Sequence, residues 1–229
     1  QLAFVDHHEP RLAEAHGGVE DGGAVGQELG GVAGGDRDHG LLTGLQQAAQ
    51  VVVGTPVGQD KDATLLGHVR DEGIARTDPS VRFYRTNARQ DFHTDGADLV
   101  GLLCLHRARS GGESRIASSA TVYNEILARR PDLLDVLHQP FAWDRNDEQS
   151  PGEPPFFELP VIHDVGGTPR VFYIGWYITD AQRHPDAPRL TDEQREAMAL
   201  VESIANDPSV HLEMDFQPGD VQLINNGRI

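Results

Sequence analysis

The sequence predicts a mainly β fold with helical insertions, and three features of the chain lead to this prediction. Short stretches in which apolar and polar residues alternate recur from residue 51 to the end of the chain. Turn sequences rich in glycine, proline and aspartate separate these stretches. Helical spacing of apolar residues is found in only a few segments between them. Many short strands with a few intervening helices are typical of a jelly-roll barrel, that is, a double-stranded β-helix.

The predicted strands and helices alternate along the first part of the domain. Strands or extended segments are expected at 51–53, 65–69 and 99–107. Helical spacing predicts a helix at 119–130, in which Val122, Ile126 and Leu127 share one face, and a second helix at 131–137 that opens with a proline.

The second part of the domain is expected to return to strands. Strands are predicted at 157–163 and 171–178, around a hairpin turn at 164–168 that contains paired glycines. The clearest helix is expected at 190–205, because Thr191 suits an N-cap and Gln194 follows three residues later, as in a capping box. The segments 210–216 and 221–225 are predicted to pair as a final hairpin.

Composition limits the class of partner. The chain has 229 residues and a formal net charge of −17, and it shows no basic stripe interleaved with aromatic residues. We therefore expect a small-molecule substrate, and neither nucleic acid nor a membrane as a partner. The single cysteine, Cys104, excludes an internal disulfide framework and is expected to be a buried small hydrophobe. A cytoplasmic location is expected because no long apolar run or leader segment is present, and the oligomeric state is left open.

The two ends of the chain differ from the rest. Residues 1–50 are rich in paired glycines and lack sustained periodicity, so they are expected either to be disordered or not to be native to the domain, which is predicted at 51–229. The chain begins without methionine and stops at Ile229, where a strand is expected to continue or turn. We therefore expect a fragment whose fold is incomplete at the C-terminus.

The predicted chemistry centres on His93-Thr94-Asp95. In a strand, residues i and i+2 point to the same side, so one imidazole and one carboxylate could meet a single metal ion. Non-haem iron(II) oxygenases use two histidines and one carboxylate on one face of the metal. Taken alone, the His-x-Asp spacing also fits a polar pair on the surface.

Three motifs together resemble a known enzyme family. The segment 92–96 (Phe-His-Thr-Asp-Gly) is followed by 111–114 (Gly-Gly-Glu-Ser) and by 219–226 (Gly-Asp-Val-Gln-Leu-Ile-Asn-Asn). Their order and spacing are similar to those of the taurine dioxygenase and γ-butyrobetaine hydroxylase-like family (TauD/TfdA), over residues 51–229. The resemblance implies an iron(II)- and 2-oxoglutarate-dependent dioxygenase. Such an enzyme uses dioxygen to hydroxylate an unactivated C–H bond of a small molecule.

The resemblance also implies roles for single residues. His93 and Asp95 would be catalytic metal ligands, and Ser114 would help to bind 2-oxoglutarate. A carboxylate at Asp95 favours hydroxylation over halogenation. The family's distal histidine and the arginine that pairs with 2-oxoglutarate are expected beyond Ile229. We therefore expect this fragment to bind iron weakly and to be inactive.

Substrate contacts are predicted on two segments. Asn87, with Thr86, lies just upstream of the metal motif, and Tyr173 and Trp176, with Tyr177, lie on a predicted strand that the family places near the pocket. Each of these residues could instead belong to the core or the surface. Arg170 is expected to be solvated or to pair with an anionic substrate.

Other candidate sites and functions stay open. His211 and Glu213 have the same spacing as the first pair and could form a rival metal site, whereas His7-His8-Glu9 and His163-Asp164 are expected to have no site function. The segment 54–61 fails the P-loop spacing. The alternative function is a non-catalytic, cupin-like module that binds a metal or a small acid. A third possibility is an incomplete gene product.

Overall fold

The computed structural model describes residues 2–5, 54–58, 64–75 and 81–229 of the chain. Its strands are β1 Leu2–Val5, β2 Thr55–Val57, β3 Leu99–Leu103, β4 Ser114–Ala117, β5 Pro140–Asp144, β6 Phe156–Pro160, β7 Ile162–Val165, β8 Thr168–Val171, β9 His211–Met214 and β10 Val221–Asn225. Its α-helices are α1 Ser119–Arg129, α2 Pro131–Leu137, α3 Gly175–Asp180 and α4 Asp192–Ala205, with short 3-10 turns at Phe83–Arg85 and Ala181–Arg183.

The strands form one larger sheet and three two-stranded sheets. The larger sheet is antiparallel with the order β10-β3-β1-β2, and its β10–β3 pairing sets Leu223 opposite Gly101. The two-stranded sheets pair β4 with β9, β5 with β6 and β7 with β8. The described residues therefore form strands with helices between them, which confirms this coarser part of the predicted fold class.

The predicted final hairpin is wrong. β9 pairs with β4, and β10 pairs with β3, so the two neighbouring strands enter different sheets. The turn between them binds the end of β3 instead: the backbone N–H of Gly219 donates to the carbonyl of Cys104, and the N–H of Cys104 donates to the carbonyl of Asp220. These two hydrogen bonds start the β3–β10 ladder and direct the chain away from β9.

The first two helices follow their sequence signals closely. Ser118 caps α1 by accepting a hydrogen bond from the N–H of Thr121, and Pro131 occupies the first turn of α2, where a missing N–H costs little. Val122 and Ile126 are buried as predicted, but Leu127 is 47% exposed, so its predicted place on the buried face is wrong.

The predicted helix at 190–205 is also confirmed. α4 begins after Thr191, whose side chain accepts a hydrogen bond from the N–H of Gln194, while the side chain of Gln194 reaches back to the N–H of Thr191. This reciprocal capping box satisfies two N–H groups that the helix itself leaves unpaired.

The predicted strand at 171–178 is wrong over most of its length. The hairpin turn is confirmed, with Gly166 and Gly167 at φ of 59° and 80°, but β8 ends at Val171. Beyond it, the N–H of Phe172 donates to the carbonyl of Val161, and Tyr173 bonds to Thr94. The N–H groups of Tyr177 and Ile178 then donate to the carbonyl of Ile174 and open α3. The predicted strand 157–163 is likewise interrupted, because β6 ends at Pro160 and β7 begins at Ile162.

The N-terminal segment contributes a strand that the sequence analysis did not predict. β1, with the apolar sequence Leu-Ala-Phe-Val, lies between β2 and β3. The strand predicted at 51–53 and the pair His7-His8 fall outside the described residues. The division at residue 50 stays a prediction.

The hydrophobic core lies between helices α1, α2 and α4 and the strands β5 to β8. Trp143 on β5 is fully buried, stacks on Phe157, and donates its indole N–H to the carbonyl of Leu159 at 2.7 Å. Ile178 of α3 is also fully buried in this core. The core thus fixes α3, which faces the candidate site described below. Among the described residues, no helix is long and apolar enough to span a membrane.

Candidate metal centre

The His-x-Asp motif lies in a loop before β3 and not in a strand, so the expected strand geometry is wrong. The two side chains nevertheless converge, with His93 Nε2 3.9 Å from Asp95 Oδ1. Both are partly accessible, with side-chain exposures of 23% and 32%. With metal bonds of about 2 Å, the usual length for imidazole and carboxylate ligands, two neighbouring ligand atoms lie about 3 Å apart, so these two atoms would have to approach by about 1 Å to hold one ion.

The imidazole of His93 is held in one tautomer. Its Nδ1 lies 2.8 Å from the carbonyl oxygen of Asp91, an acceptor, so Nδ1 carries the proton. The lone pair of Nε2 is then directed to the side where Asp95 lies. A histidine that donates one ring N–H to a carbonyl and offers the other nitrogen has the arrangement typical of a metal ligand.

Thr94, between the two candidate ligands, is buried and fixes the loop to the segment before α3. Its backbone N–H donates to the carbonyl of Tyr173 at 2.8 Å, and its Oγ1 accepts from the N–H of Tyr173 at 2.8 Å. The side chain of Thr94 points into the protein, whereas those of His93 and Asp95 on either side of it are partly accessible.

Tyr173 supports this loop and is buried. It is 3% exposed, it lies outside any strand, and its hydroxyl is hydrogen-bonded to Glu202 of α4. Burial, with the nearby charge of Glu202, raises the pKa of the Tyr173 hydroxyl far above its usual value. Burial and the charge of Asp91 raise the pKa of Glu202. The tyrosine therefore stays neutral and links the loop of His93 and Asp95 to α4.

An aromatic wall, formed by Phe83, Trp176 and Tyr177, lies beside His93. The indole of Trp176 meets the imidazole of His93 edge-on, with ring centroids 4.9 Å apart, and Phe83 meets Trp176 at 5.0 Å. Tyr177 also lies edge-on to Trp176, at 6.1 Å. Trp176 therefore lies next to His93, although it lies on a helix and not on the predicted strand.

The wall is anchored by a charged pair. The guanidinium of Arg82 donates to the hydroxyl of Tyr177 and to the carboxylate of Glu148. Burial raises the pKa of the Tyr177 hydroxyl, an effect that the positive charge of Arg82 opposes. The oxygen of Tyr177 accepts this hydrogen bond, which connects α3 to Arg82.

Ser114 lies at the start of β4 and connects two sheets. Its hydroxyl donates to the side-chain carbonyl of Gln222 on β10 at 3.3 Å, and Gln222 is buried. Gln222 lines a cleft of about 650 Å³ between the two sheets, together with Ile116, Met214, Leu223 and Ile224. Neither His93 nor Asp95 lines this cleft.

The remaining predicted residues lie apart from the motif or carry other bonds. Asn87 is exposed, and Thr86 is buried and bonds locally to the carbonyl of Phe83. In the rival pair, Nδ1 of His211 lies 2.9 Å from the carbonyl of Ala205, and Glu213 pairs with Arg115. Arg170 packs against Gly227 so closely that a Cβ atom on residue 227 would lie 1.8 Å from Nη1 of Arg170.

Sequence reasoning missed several residues that hold the motif. Asn226 binds the backbone of Asp95 and Ala97, and Asp91 and Glu202 surround the other side of the loop. Asn226 was visible only as the end of a motif, without a role, and Glu202 carried no signal. Within the described part of the chain, no set of three or more His, Cys, Asp or Glu residues could hold a metal ion.

Curated relatives match a large part of the chain. FR-33289 synthase of Streptomyces rubellomurinus is 30% identical over 193 residues, which cover 82% of this chain and 57% of that protein. Taurine hydroxylase-like protein SAT17 of Stachybotrys chartarum is 33% identical over 59% of this chain and 34% of its own length. Uridine-5'-phosphate dioxygenase of an Amycolatopsis species is 25% identical over 67% of this chain and 58% of its length. The chain thus spans from about one third to under two thirds of these relatives.

Solved structures share the fold. The non-heme iron oxygenase OrfP in complex with Fe and alpha-ketoglutaric acid matches with a TM-score of 0.55 and 16% identity, over 87% of this chain and 59% of OrfP. A single-residue mutant of OrfP in complex with (3S)-hydroxy-L-Arg matches with a TM-score of 0.50 and 15% identity, over 80% and 55% of the two chains.

The family model for taurine catabolism dioxygenase TauD, TfdA family matches residues 40–229, which include all three motifs. The resemblance inferred from those motifs is confirmed. The chain belongs to the TauD/TfdA family.

Proposed function

We propose that this chain belongs to an iron(II)- and 2-oxoglutarate-dependent dioxygenase that hydroxylates an unactivated C–H bond of a small molecule. The observation that carries the proposal is the convergence of His93 Nε2 and Asp95 Oδ1 to 3.9 Å, in a chain of the TauD/TfdA family. The names of the curated relatives, which include a hydroxylase-like protein and a dioxygenase, support the same reaction class.

His93 and Asp95 would hold the metal, and their environment fits this role. Nδ1 of His93 is engaged by the Asp91 carbonyl, which leaves Nε2 as the ring nitrogen that can bind a metal. One imidazole and one carboxylate are two of the three protein ligands of the non-haem iron site. Bound iron(II) and 2-oxoglutarate would supply the activation of dioxygen, which protein side chains cannot provide.

Ser114 would help to bind the 2-oxoglutarate carboxylate. Its hydroxyl is partly buried and donates to a neutral partner, Gln222, at a rather long 3.3 Å. A carboxylate acceptor would form a stronger, charge-assisted bond with the same hydroxyl. The proposal therefore requires Ser114 to exchange Gln222 for the co-substrate.

Trp176 is the substrate contact that the geometry favours. Its edge-on contact with His93 places an apolar surface directly beside the candidate metal position. Asn87 remains a proposed contact because it is exposed upstream of the motif. Tyr173 suits a supporting role better, because its hydroxyl is engaged by Glu202.

The strands are proposed to belong to a double-stranded β-helix. Two observations support this: β9 and β10 follow each other in sequence but enter different sheets, and the fold is similar to that of OrfP. A cytoplasmic location and dioxygen as co-substrate are parts of the same proposal.

The test is anaerobic absorption spectroscopy of the natural full-length protein with iron(II) and 2-oxoglutarate. We expect a weak visible charge-transfer band that is absent from His93→Ala and Asp95→Ala. The matched controls are His211→Ala and Glu213→Ala, which remove a pair of the same spacing and should keep the band. Absence of the band from the folded wild-type protein would refute the oxygenase. Retained binding of the metal or the acid alone would then favour the cupin-like binding module.

A further inference from the structure

Asn226, at the end of β10, encloses the backbone of the Asp95 turn. Its Oδ1 accepts a hydrogen bond from the N–H of Asp95 at 3.0 Å. Its Nδ2 donates to the carbonyl of Asp95 and, at 2.7 Å, to the carbonyl of Ala97. Its own backbone N–H donates to the carbonyl of Asp98 at 2.8 Å. One residue thus satisfies four backbone groups of the segment 95–98.

Asparagine has the chemistry that this arrangement requires. Its side-chain amide offers one acceptor and two donors, and the three side-chain bonds use all of these functions. Aspartate would keep the acceptor but lose both donors, and it would place a second negative charge beside Asp95. Alanine would lose every side-chain bond and leave partly buried backbone groups to be rehydrated.

The segment that carries Asn226 is itself held on both sides. The N–H of Arg228 donates to the carbonyl of Asn225, and the N–H of Ser119 donates to the carbonyl of Arg228, which ties the segment to the start of α1. Gly227 packs so closely against the guanidinium of Arg170 that a side chain there would collide with it. Asn226 is therefore presented to the turn by a fixed backbone.

We propose that Asn226 is the positioning residue for Asp95. By fixing the backbone on both sides of the Asp95 Cα, it sets the direction in which the carboxylate leaves the turn, and so its alignment with His93 Nε2. Thr94 holds the turn from the opposite side through Tyr173. This inference rests on the proposed function for its consequence in metal binding, but the contacts themselves do not depend on a metal.

The test compares Asn226→Ala and Asn226→Asp with Asn225→Ala in the natural full-length protein. Asn225 is the matched control, because it is the adjacent exposed asparagine and its Oδ1 accepts only from the N–H of Gly227 among the hydrogen bonds described. Two quantities are measured: amide hydrogen exchange at Asp95 without metal, and the anaerobic affinity and visible spectrum of bound cobalt(II).

We expect the Asp95 amide to exchange faster in Asn226→Ala than in the wild-type protein. Both Asn226 variants should bind cobalt(II) about 10- to 100-fold more weakly, which is the usual cost of losing an outer partner of a metal ligand. In Asn226→Asp the amide acceptor is retained, so affinity should fall while exchange changes less. The cobalt spectrum should shift in both, since the carboxylate is no longer aligned. Asn225→Ala should stay within twofold of wild type.

A folded Asn226→Ala with wild-type exchange at Asp95 would overturn the inference, as would cobalt affinity within twofold of wild type. If Asn226→Ala does not fold, Asn226→Asp decides by the same affinity criterion. If the wild-type protein binds no cobalt or iron, the proposed function fails, and the positioning of the Asp95 turn is judged by hydrogen exchange alone.

Discussion

Replacing Asp144 by alanine should destabilise the protein strongly, because this carboxylate is buried within a network of hydrogen bonds. Its side chain is 2% exposed. Its oxygens accept from Arg183 at 2.8 and 3.1 Å, from His184 Nε2 at 2.8 Å, and from the backbone N–H of Asn146 at 2.6 Å. The network joins the end of β5 to the 3-10 turn that follows α3, and so helps to fix the helix that carries Trp176.

The magnitude follows from what remains after the substitution. Removing one partner of a buried ion pair costs about 3–5 kcal/mol, because the other charge is left without compensation. Arg183 is 32% exposed and can recover part of its hydration, so we expect a loss near the lower end of that range. For a domain of this size, a loss of about 3 kcal/mol corresponds to a fall in Tm of roughly 6–12 °C.

Asp147→Asn provides the matched control, because Asp147 has a positive φ of 60°, which asparagine tolerates better than alanine. Asp147 accepts from the same guanidinium at 2.9 Å, but its side chain is 53% exposed. An exposed pair is worth about 0.2–1 kcal/mol, so this variant should lose little stability. Thermal and urea unfolding, followed by circular dichroism, measure both variants. If the two variants lost the same free energy of unfolding, the reasoning that burial makes the hydrogen bonds of Asp144 strongly stabilising would be refuted.

The same network predicts a dependence on pH. Burial raises the pKa of Asp144, but the bonds from Arg183, Asn146 and His184 outweigh this effect, so the pKa lies below its usual value. A carboxyl with a lowered folded pKa stabilises the protein above the pKa of the unfolded chain, and this contribution is lost as the pH falls toward the folded value. The difference in stability between wild type and Asp144→Ala should therefore shrink below the usual aspartate pKa of 3.8.

Three further substitutions test other contacts. Gly175→Ala would place a Cβ 2.8 Å from the hydroxyl oxygen of Tyr173, so it should cost about 1–3 kcal/mol in urea unfolding, and adding Tyr173→Phe should recover part of the loss. Thr94→Val leaves the buried N–H of Tyr173 without its acceptor, so it should lower the free energy of unfolding by about 1–3 kcal/mol and weaken cobalt(II) binding. Thr94→Ser keeps the hydroxyl and should retain both the stability and the cobalt(II) affinity. Burial and the charge of His138 lower the pKa of His163 in the folded protein. The unfolded chain therefore binds a proton first as the pH drops below 6.5, and the stability of the wild-type protein should fall. His163→Leu should reduce this fall, which is measured as the change in the urea midpoint between pH 7 and pH 5.

Elements specified by local chemistry were predictable from the sequence. The capping box of Thr191 and Gln194, the proline that opens α2, and the paired glycines of the β7–β8 turn each act within a few residues. The structure accordingly has these elements within one or two residues of their predicted ends.

Elements that depend on distant partners were not predictable in the same way. The segment 171–178 has apolar and aromatic residues that suit a strand, but no strand is available to pair with it beyond Val171, and it becomes α3. β9 and β10 suit a hairpin by spacing, yet each finds its partner about a hundred residues earlier, in β4 and β3. Alternation of side chains identifies a strand but does not identify its partner.

The candidate site combines both kinds of information. His93 and Asp95 could be named from a motif, but their convergence is not produced by strand geometry, since the motif lies in a loop. It is produced by Tyr173, 79 residues after Thr94, and by Asn226, 131 residues after Asp95. Neither contact exists until the segment before α3 and the end of β10 have reached the loop. The alignment of the two candidate ligands is therefore a property of the folded domain, and a peptide that contains the motif alone should not hold it.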